Sequence, residues 1–183
     1  MGIYFLRHFK SYFNDKDIIS GRMDTDIIGN QEIIYRSDIP QYFDYAFCSS
    51  KKRCMNTLNT LPQNIIKRYV DTDSLIERNV GVLEGMRRSE AVEKYPNLFY
   101  KGKLSVDEEI PEGETIEEVK KRLELIVLLL TETSKDKNIL VCSHNQCLKV
   151  LYSMLKGVEI TNEYWHSLNF ENGTVINIDD VIY

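Results

Sequence analysis

The sequence has no long hydrophobic run, and its longest apolar stretch, at residues 125–130, is far too short to cross a bilayer. Its N-terminus has no charged segment followed by an apolar core and a small-residue cleavage site, which a secretory signal would need. We therefore expect a protein of the cytoplasm that has no membrane partner.

The chain also lacks a basic excess. It has 23 Lys and Arg against 28 Asp and Glu, which gives a formal net charge of −5. Nucleic acids and anionic membranes bind basic faces, so this balance argues against both as partners. An anionic small-molecule substrate would need a local cationic pocket within an acidic exterior.

Cysteine, proline and glycine are all scarce. The four cysteines have spacings that match no zinc-binding pattern, and we expect reduced thiols and no bound metal: Cys48, Cys54, Cys142 and Cys147. The 4 prolines and 9 glycines are scattered, and no repeat or linker interrupts the chain. At 183 residues, the sequence predicts a single domain over residues 1–183.

Strand and helix patterns alternate along the chain, which is typical of a doubly wound sheet. Strands are predicted at 3–6, 44–48, 67–70, 139–142 and 174–178, the last at the sheet edge. Helices are predicted at 28–38, from a Ser49-Ser50 cap to about 61, at 89–94, after a Thr115–Glu118 capping box, and at 146–156. Residues 9–26 read as a functional loop. The predicted fold is a three-layer α/β/α sandwich with a mostly parallel, doubly wound central sheet.

Two of the apolar strands end in a histidine. Residues 3–6 lead into Arg7-His8, and residues 139–142 lead into Ser143-His144. Ligands of open α/β sheets bind outside the carboxyl ends of the strands, so both histidines are predicted to share one pocket. With Arg7 beside His8, this pocket suits an oxyanion, above all phosphate.

An ordered set of motifs resembles the histidine phosphatase (phosphoglycerate mutase-like) superfamily. Its opening signature is similar to residues 6–11, with Asn14 following, and its next loop is similar to residues 20–24. The resemblance continues through the following segments: Ser49-Ser50 with Arg53 and Thr57, residues 75–78, residues 81–85, residues 111–115 and residues 141–144. It covers nearly the whole chain and implies a phosphoglycerate mutase-like fold.

The resemblance implies a role for each matching residue. His8 would be the nucleophile that accepts the phosphoryl group, and Glu77 would be the proton donor. Arg7, Arg53 and His144 would bind the phosphate oxygens, which agrees with the need of phosphoryl transfer for cationic clamps. Further phosphate contacts are expected from Ser11, Asn14, Ser20, Gly21 and Asn145. The implied enzyme is a metal-independent phosphatase without a cofactor, and its substrate is a small phosphorylated metabolite.

Several positions depart from the family pattern. Phe9 and Lys10 stand where the family usually has Gly and Glu, so we expect Phe9 to narrow the pocket wall. Lys10 is either a surface cation or a second charge in the pocket. Asn145 stands where the acid-phosphatase branch carries the Asp that is its proton donor, which supports Glu77 for that role. Glu77 has two acidic rivals nearby, Asp73 and Glu84, so its role rests mainly on the resemblance to the family.

Two alternatives to a phosphatase stay open. One is phosphoglycerate mutase-type transfer, and the other is a non-catalytic sensor of a phosphorylated ligand. Cysteine-based phosphatases, serine hydrolases and P-loop nucleotide-binding proteins are excluded because their signatures are lacking. No cysteine has an arginine six residues later, no G-x-S-x-G elbow surrounds Ser143, and no P-loop is present.

Overall fold

A computed structural model describes residues 1–62 and 64–182. Its eight strands, in chain order, are β1 Gly2–Arg7, β2 Ile34–Tyr35, β3 Tyr45–Ser49, β4 Tyr69–Thr72, β5 Phe99–Tyr100, β6 Lys103–Leu104, β7 Asn138–Ser143 and β8 Thr174–Asn177. Its α-helices are α1 Tyr12–Asp15, α2 Lys52–Leu58, α3 Arg88–Lys94, α4 Ile116–Thr133, α5 Asn145–Lys156 and α6 Asn162–Ser167.

Six strands form the central sheet in the order β2-β8-β1-β7-β3-β4. The strands β1, β7, β3 and β4 run parallel to one another, and β8 is antiparallel to β1. The predicted α/β class and mostly parallel sheet are thus confirmed. The position of β8 was predicted wrongly, because β2 pairs with its outer side and becomes the edge strand.

The two faces of the sheet carry separate hydrophobic cores. Alternate residues of β1 and β7 point to opposite faces, so Ile3, Phe5 and Val141 pack with helices α4 and α5. On the other face, Leu6 and Cys142 pack with residues of α2 and the loops around it. This arrangement is the predicted sandwich of helix, sheet and helix. No helix among residues 1–62 and 64–182 is long and apolar enough to cross a membrane.

The long helices have the predicted termini. The Thr115 hydroxyl accepts from the Glu118 amide and the Glu118 carboxylate accepts from the Thr115 amide, which is the predicted capping box. The apolar face of α4 is buried at Ile116, Val119, Leu123, Ile126 and Leu130. Helix α5 ends at Gly157, whose left-handed conformation (φ 65°) suits a residue without a side chain.

Three local predictions were wrong. Residues 28–38 form no helix, because the backbone amide of Ile34 donates to Gly173, just before β8, and that of Arg36 donates to Val175 in β8. The serine pair does not cap α2; Lys51 occupies that position, while the Ser49 and Ser50 hydroxyls bond to His144 and Asp73. The strand predicted at residues 67–70 is β4, which begins two residues later, at Tyr69, and pairs with β3.

Phe9 is buried, and its ring packs against the turn that leads into β8. A Cβ atom on Gly173 would lie 2.5 Å from Cδ1 of Phe9, and Gly173 has φ +68°. The Gly173 amide also donates to the Arg7 carbonyl oxygen at 2.9 Å. This turn therefore holds the end of β1, and Phe9 does not narrow the pocket wall as predicted.

We expect Gly173→Ala to destabilise the protein by about 2–5 kcal/mol, since a side chain at a positive φ costs about 1–2 kcal/mol and overpacking costs about 1–3 kcal/mol. Gly157→Ala is the matched control, because Gly157 has φ +65° and its Cβ would meet no atom within 4 Å. Urea unfolding of both variants measures the difference. Equal losses would contradict the close packing of Phe9 on Gly173.

Candidate active site

The pairing of β1 with β7 brings the two predicted histidines together. Arg7 lies opposite Ser143, and the His8 amide donates to the Ser143 carbonyl oxygen at 3.1 Å. Both imidazoles are buried, and their ring centroids are 5.1 Å apart. They occupy the carboxyl end of the parallel strands, which is where the sequence placed the pocket.

His8 is fixed in one neutral tautomer. Its Nδ1 lies 2.6 Å from the Phe9 carbonyl oxygen, and because a carbonyl can only accept, Nδ1 carries the proton. The lone pair therefore resides on Nε2. Burial lowers the pKa of His8 well below its usual value, and the charges of Arg53 and Arg7 lower it further. A neutral imidazole with a free lone pair on Nε2 is a competent nucleophile for phosphorus.

His144 is held in the opposite tautomer. Nε of Arg53 donates to its Nδ1 at 3.1 Å, so the proton resides on Nε2 and is donated to the Ser49 hydroxyl at 2.8 Å. Burial lowers the pKa of His144 well below its usual value, with Arg53 as the next cause. Both ring nitrogens are thus bonded to protein groups, so a direct contact of His144 with phosphate requires one of these bonds to exchange.

Arg53 connects the sheet to the loop that follows β1. It is 1% exposed, and its terminal nitrogens donate to the carbonyl oxygens of Met23 and Gly21 at 2.7 and 2.9 Å. With the bond from its Nε to His144, three of its five N–H groups have protein acceptors. One N–H on each terminal nitrogen is left for a ligand. The Arg53 guanidinium is therefore an oriented, buried cation with donors to spare.

Arg7 is a second cation, partly buried, with a free donor. One terminal nitrogen donates to the Phe170 carbonyl oxygen at 2.8 Å, whereas its buried Nε has no hydrogen-bond partner. Burial lowers the pKa of Arg7 to about 10, with Glu77 opposing this shift, so the guanidinium is charged at neutral pH. An unpartnered buried donor is costly, and an anion in the pocket would satisfy it.

The Glu77 carboxylate lies at the N-terminus of α5. Its Oε1 accepts from the amides of Arg78 and Cys147, each at 3.0 Å, and its Oε2 accepts from the Gln146 amide at 3.3 Å. These backbone donors fix the position of the carboxylate without neutralising it by a salt bridge. Oε2 has the longer bond and retains a lone pair that can hold a proton.

The two acidic neighbours of Glu77 have other partners. The Asp73 carboxylate accepts from the Ser50 hydroxyl. The Glu84 carboxylate accepts from the Arg22 amide at 2.8 Å and the Val80 amide at 3.3 Å, and it lies directly against Gly21. Glu84 therefore fastens one loop to another, whereas Glu77 is bonded to the amides two and three residues after His144.

Each of the five predicted supporting residues has a hydrogen-bond partner within the protein. Ser11 and Asn14 form a reciprocal cap of α1, in which the Ser11 hydroxyl donates to Asn14 Oδ1 at 2.9 Å. Gly21 and Asn145 act through neighbours, since the Gly21 carbonyl accepts from Arg53 and Asn145 Oδ1 accepts from the Phe170 amide at 3.4 Å. The Ser20 carbonyl accepts from the Met23 amide. Contacts of these five residues with phosphate stay predictions.

Lys10 is a surface cation, as one of the two readings of the sequence had it. Its ammonium forms an ion pair with Asp15 at 2.8 Å, and both side chains are about half exposed. It therefore adds no charge to the pocket in this structure.

Ser49 and the backbone donors to Glu77 were not predicted as parts of the site. Ser49 directly follows the strand residues 44–48, so the rule that located the histidines at strand ends applies equally to its hydroxyl. The amides of Gln146 and Cys147 follow from the helix start, because the first amides of any helix lack intrahelical acceptors. No cluster of three or more His, Cys, Asp or Glu side chains able to hold a metal occurs within residues 1–62 and 64–182.

The sequence model of the histidine phosphatase superfamily (branch 1) matches residues 3–180. The chain belongs to this superfamily. The family predicted from the ordered motifs is thereby confirmed, and so is its phosphoglycerate mutase-like fold.

Two relatives of this histidine phosphatase carry different activities in their names. A broad-specificity phosphatase of Saccharomyces cerevisiae is 28% identical over 98% of this chain and 79% of its own length. A 2,3-bisphosphoglycerate-dependent phosphoglycerate mutase of Cytophaga hutchinsonii is 28% identical over 84% of this chain and 76% of its own. The solved structure of Bacillus stearothermophilus YhfR shares the fold with a TM-score of 0.76 at 18% identity, covering 94% of this chain and 88% of that one.

The hydrogen bonds predict opposite tautomers for the two buried histidines, His8 and His144. We expect ¹⁵N NMR of the labelled protein to show the Nδ1–H form for His8 and the Nε2–H form for His144. Because both pKa values are lowered, neither ring should become charged as the pH falls from 8 to about 6.5, the ordinary pKa of histidine. Identical tautomers, or titration of either ring within that range, would contradict the geometry.

Proposed function

We propose that this enzyme is a metal-independent phosphatase that hydrolyses a small phosphate monoester through a phosphohistidine on His8. The observation that carries the proposal is the bond from Nδ1 of His8 to the Phe9 carbonyl, which leaves the lone pair on Nε2. The site lies beside two guanidinium groups, the buried one of Arg53 and the partly buried one of Arg7, which suit a phosphate dianion.

In the first step, Nε2 of His8 attacks phosphorus while the bond from phosphorus to the ester oxygen breaks. Arg7 and Arg53 stabilise the charge on the equatorial phosphate oxygens, through the unpartnered Nε of Arg7 and the free N–H groups of Arg53. Protonated Glu77 gives its proton to the departing alkoxide, which leaves as the alcohol.

In the second step, water attacks the phosphorus of the phosphohistidine. Glu77, now a carboxylate, accepts a proton from that water as the phosphorus–nitrogen bond breaks and Nε2 recovers its lone pair. Inorganic phosphate is released, and Glu77 is again protonated. The tautomer of His8 is the same at the beginning and the end of the cycle, because Nδ1 keeps its proton throughout.

His144 is proposed to bind phosphate as well as to orient Arg53. Its bond from Arg53 Nε fixes the plane of the guanidinium in the unliganded enzyme. Exchange of the Ser49 bond would free Nε2–H of His144 to donate to a phosphate oxygen. Small phosphorylated metabolites in the cytoplasm are the proposed substrates.

Transfer of the mutase type uses the same phosphohistidine, and a mutase stands among the relatives. The two activities separate in one assay. Incubation with 3-phosphoglycerate and a trace of 2,3-bisphosphoglycerate, which supplies the phosphoryl group that a mutase needs, separates the two. A phosphatase releases inorganic phosphate from 3-phosphoglycerate, whereas a mutase converts it to 2-phosphoglycerate without net release. We expect release, since nothing in the proposed cycle retains the phosphoryl group.

We expect His8→Ala to lower the turnover of p-nitrophenyl phosphate by about 10³-fold or more, because the nucleophile is lost. The assay contains EDTA, in which the wild-type enzyme should keep its activity. Circular dichroism checks that the variant is folded. A folded variant that keeps most of its activity would show that His8 is not the nucleophile.

We expect Glu77→Gln to slow the hydrolysis of alkyl phosphates by about 10²–10⁴-fold, while p-nitrophenyl phosphate is affected much less. The reason is that p-nitrophenolate leaves without needing a proton. Asp73→Asn is the matched control and should change neither rate, since Asp73 bonds to Ser50. Similar losses of Glu77→Gln on both kinds of ester, or a selective loss in the control, would reassign the proton donor.

A further inference from the structure

A cleft of about 450 Å³ opens beside the proposed reaction centre. Its wall includes Asn145 and Gln146, the first two residues of α5, and Ile19, next to the loop that holds Arg53. The Gln146 amide donates to Glu77 Oε2, so the proposed proton donor is bonded to a residue of the cleft wall. A proton donor must lie at the leaving oxygen, so this cleft is placed to receive the leaving group of the substrate.

The charge of the cleft differs from that of the whole protein. Its described lining includes Arg88, Lys103 and Lys149 and contains no Asp or Glu, although the chain has a net charge of −5. The Arg88 charge is compensated by an exposed ion pair with Asp17 at 3.2 Å. Within residues 1–62 and 64–182, no carboxylate forms a salt bridge with Lys103 or Lys149, so two cations face the cleft without an anionic partner.

Lys149 is the more unusual of the two cations because it is only 6% exposed. Its ammonium donates to the Trp165 carbonyl oxygen at 2.6 Å and lies 5.1 Å from the centre of the Trp165 ring. Burial, together with the charges of Lys103 and Arg7, lowers the pKa of Lys149 to about 8, against the opposing charge of Glu77. A buried ammonium without a carboxylate partner is costly, and a ligand anion in the cleft would offset that cost.

Gln146 supplies a second unsatisfied group at the same place. Its side-chain Oε1 is buried and has no hydrogen-bond partner. A carbonyl oxygen can only accept, so it matches a hydroxyl or ammonium group on the ligand. The cleft thus combines two cations with one free acceptor. Lys149 lies one turn of α5 after Gln146, whose amide bonds to the proposed proton donor.

We infer that the leaving group of the substrate carries a second anionic group, which binds Lys149 and Lys103 in this cleft. This inference rests on the proposed function, because the phosphatase site defines which end of the substrate enters the cleft. The second anion is a carboxylate or a phosphate, and a hydroxyl or amino group beside it bonds to Gln146. Lys149 and Lys103 are accordingly specificity-determining residues for esters of this kind.

The test measures binding by calorimetry to His8→Ala, which by the proposed mechanism does not consume the ligand. Three related esters are compared: glycerol 3-phosphate with a neutral end, 3-phosphoglycerate with a carboxylate, and glycerol 1,3-bisphosphate with a second phosphate. We expect at least one of the two doubly anionic ligands to bind about tenfold or more tightly than glycerol 3-phosphate, as is typical of a hydrogen-bonded charge pair. The better of the two identifies the anion.

Variants in the same background assign the preference to particular residues. Lys149→Met and Lys103→Met should each reduce it severalfold, and Lys149→Arg should retain it. Lys103 is exposed, so its variant tests the cleft even if Lys149→Met fails to fold. Lys156→Met is the matched control, because Lys156 lies on the same helix but pairs with Asp179 outside the cleft.

Equal binding of all three esters, or a preference that survives both Lys149→Met and Lys103→Met, would overturn the inference. Its failure is distinguishable from failure of the proposed function. A wild-type enzyme that hydrolyses esters without any preference refutes only the cleft assignment. A protein that binds the doubly anionic ligands through Lys149 and Lys103 but releases no phosphate refutes only the phosphatase.

Discussion

The parallel register of β1 against β7 is the constraint on which the proposed site depends. Arg7 lies opposite Ser143, so each strand delivers its histidine one residue later, at the same edge of the sheet. Successive side chains of a strand point to opposite faces, and a slip of one residue would move Arg7 and His8 to the wrong face. The turn at Gly173 keeps this end in place by donating to the Arg7 carbonyl, while Phe9 fills the space beneath it.

The electrostatics at this end of the sheet are dominated by cations. Two guanidinium groups and two imidazoles are crowded together, and burial together with the arginine charges keeps both imidazoles neutral. The guanidinium groups are oriented mainly by carbonyl oxygens, which hold them without cancelling their charge. Glu77 is likewise held by backbone amides. A phosphate dianion would suit this arrangement, because the buried Nε of Arg7 has no hydrogen-bond partner in the protein and can donate to it.

The sequence was informative wherever short-range pattern and chemistry coincided. Apolar tetrads followed by Arg7-His8 and Ser143-His144 predicted both strands and the meeting of their histidines, and the capping box predicted the start of α4 correctly.

Patterns that depend on partners distant in the chain gave wrong predictions. Residues 28–38 have no strand periodicity of their own. The short β2 within them is formed by pairing with β8, which lies far away in the sequence. Ser49 looked like a helix cap, but a histidine 95 residues away binds its hydroxyl. Phe9 was assigned to the pocket because its contact with Gly173 joins residues at opposite ends of the chain.

A covalent phosphohistidine on His8 is the central claim, and trapping it is the most direct test. The enzyme is mixed with a phosphate ester, quenched in alkali, where phosphohistidine is stable, and mapped by mass spectrometry of its peptides. The account predicts a phosphoryl group on the peptide that contains His8, and none on the peptide that contains His144. Phosphate release without any modified His8 peptide, or with the group on another residue, would contradict it.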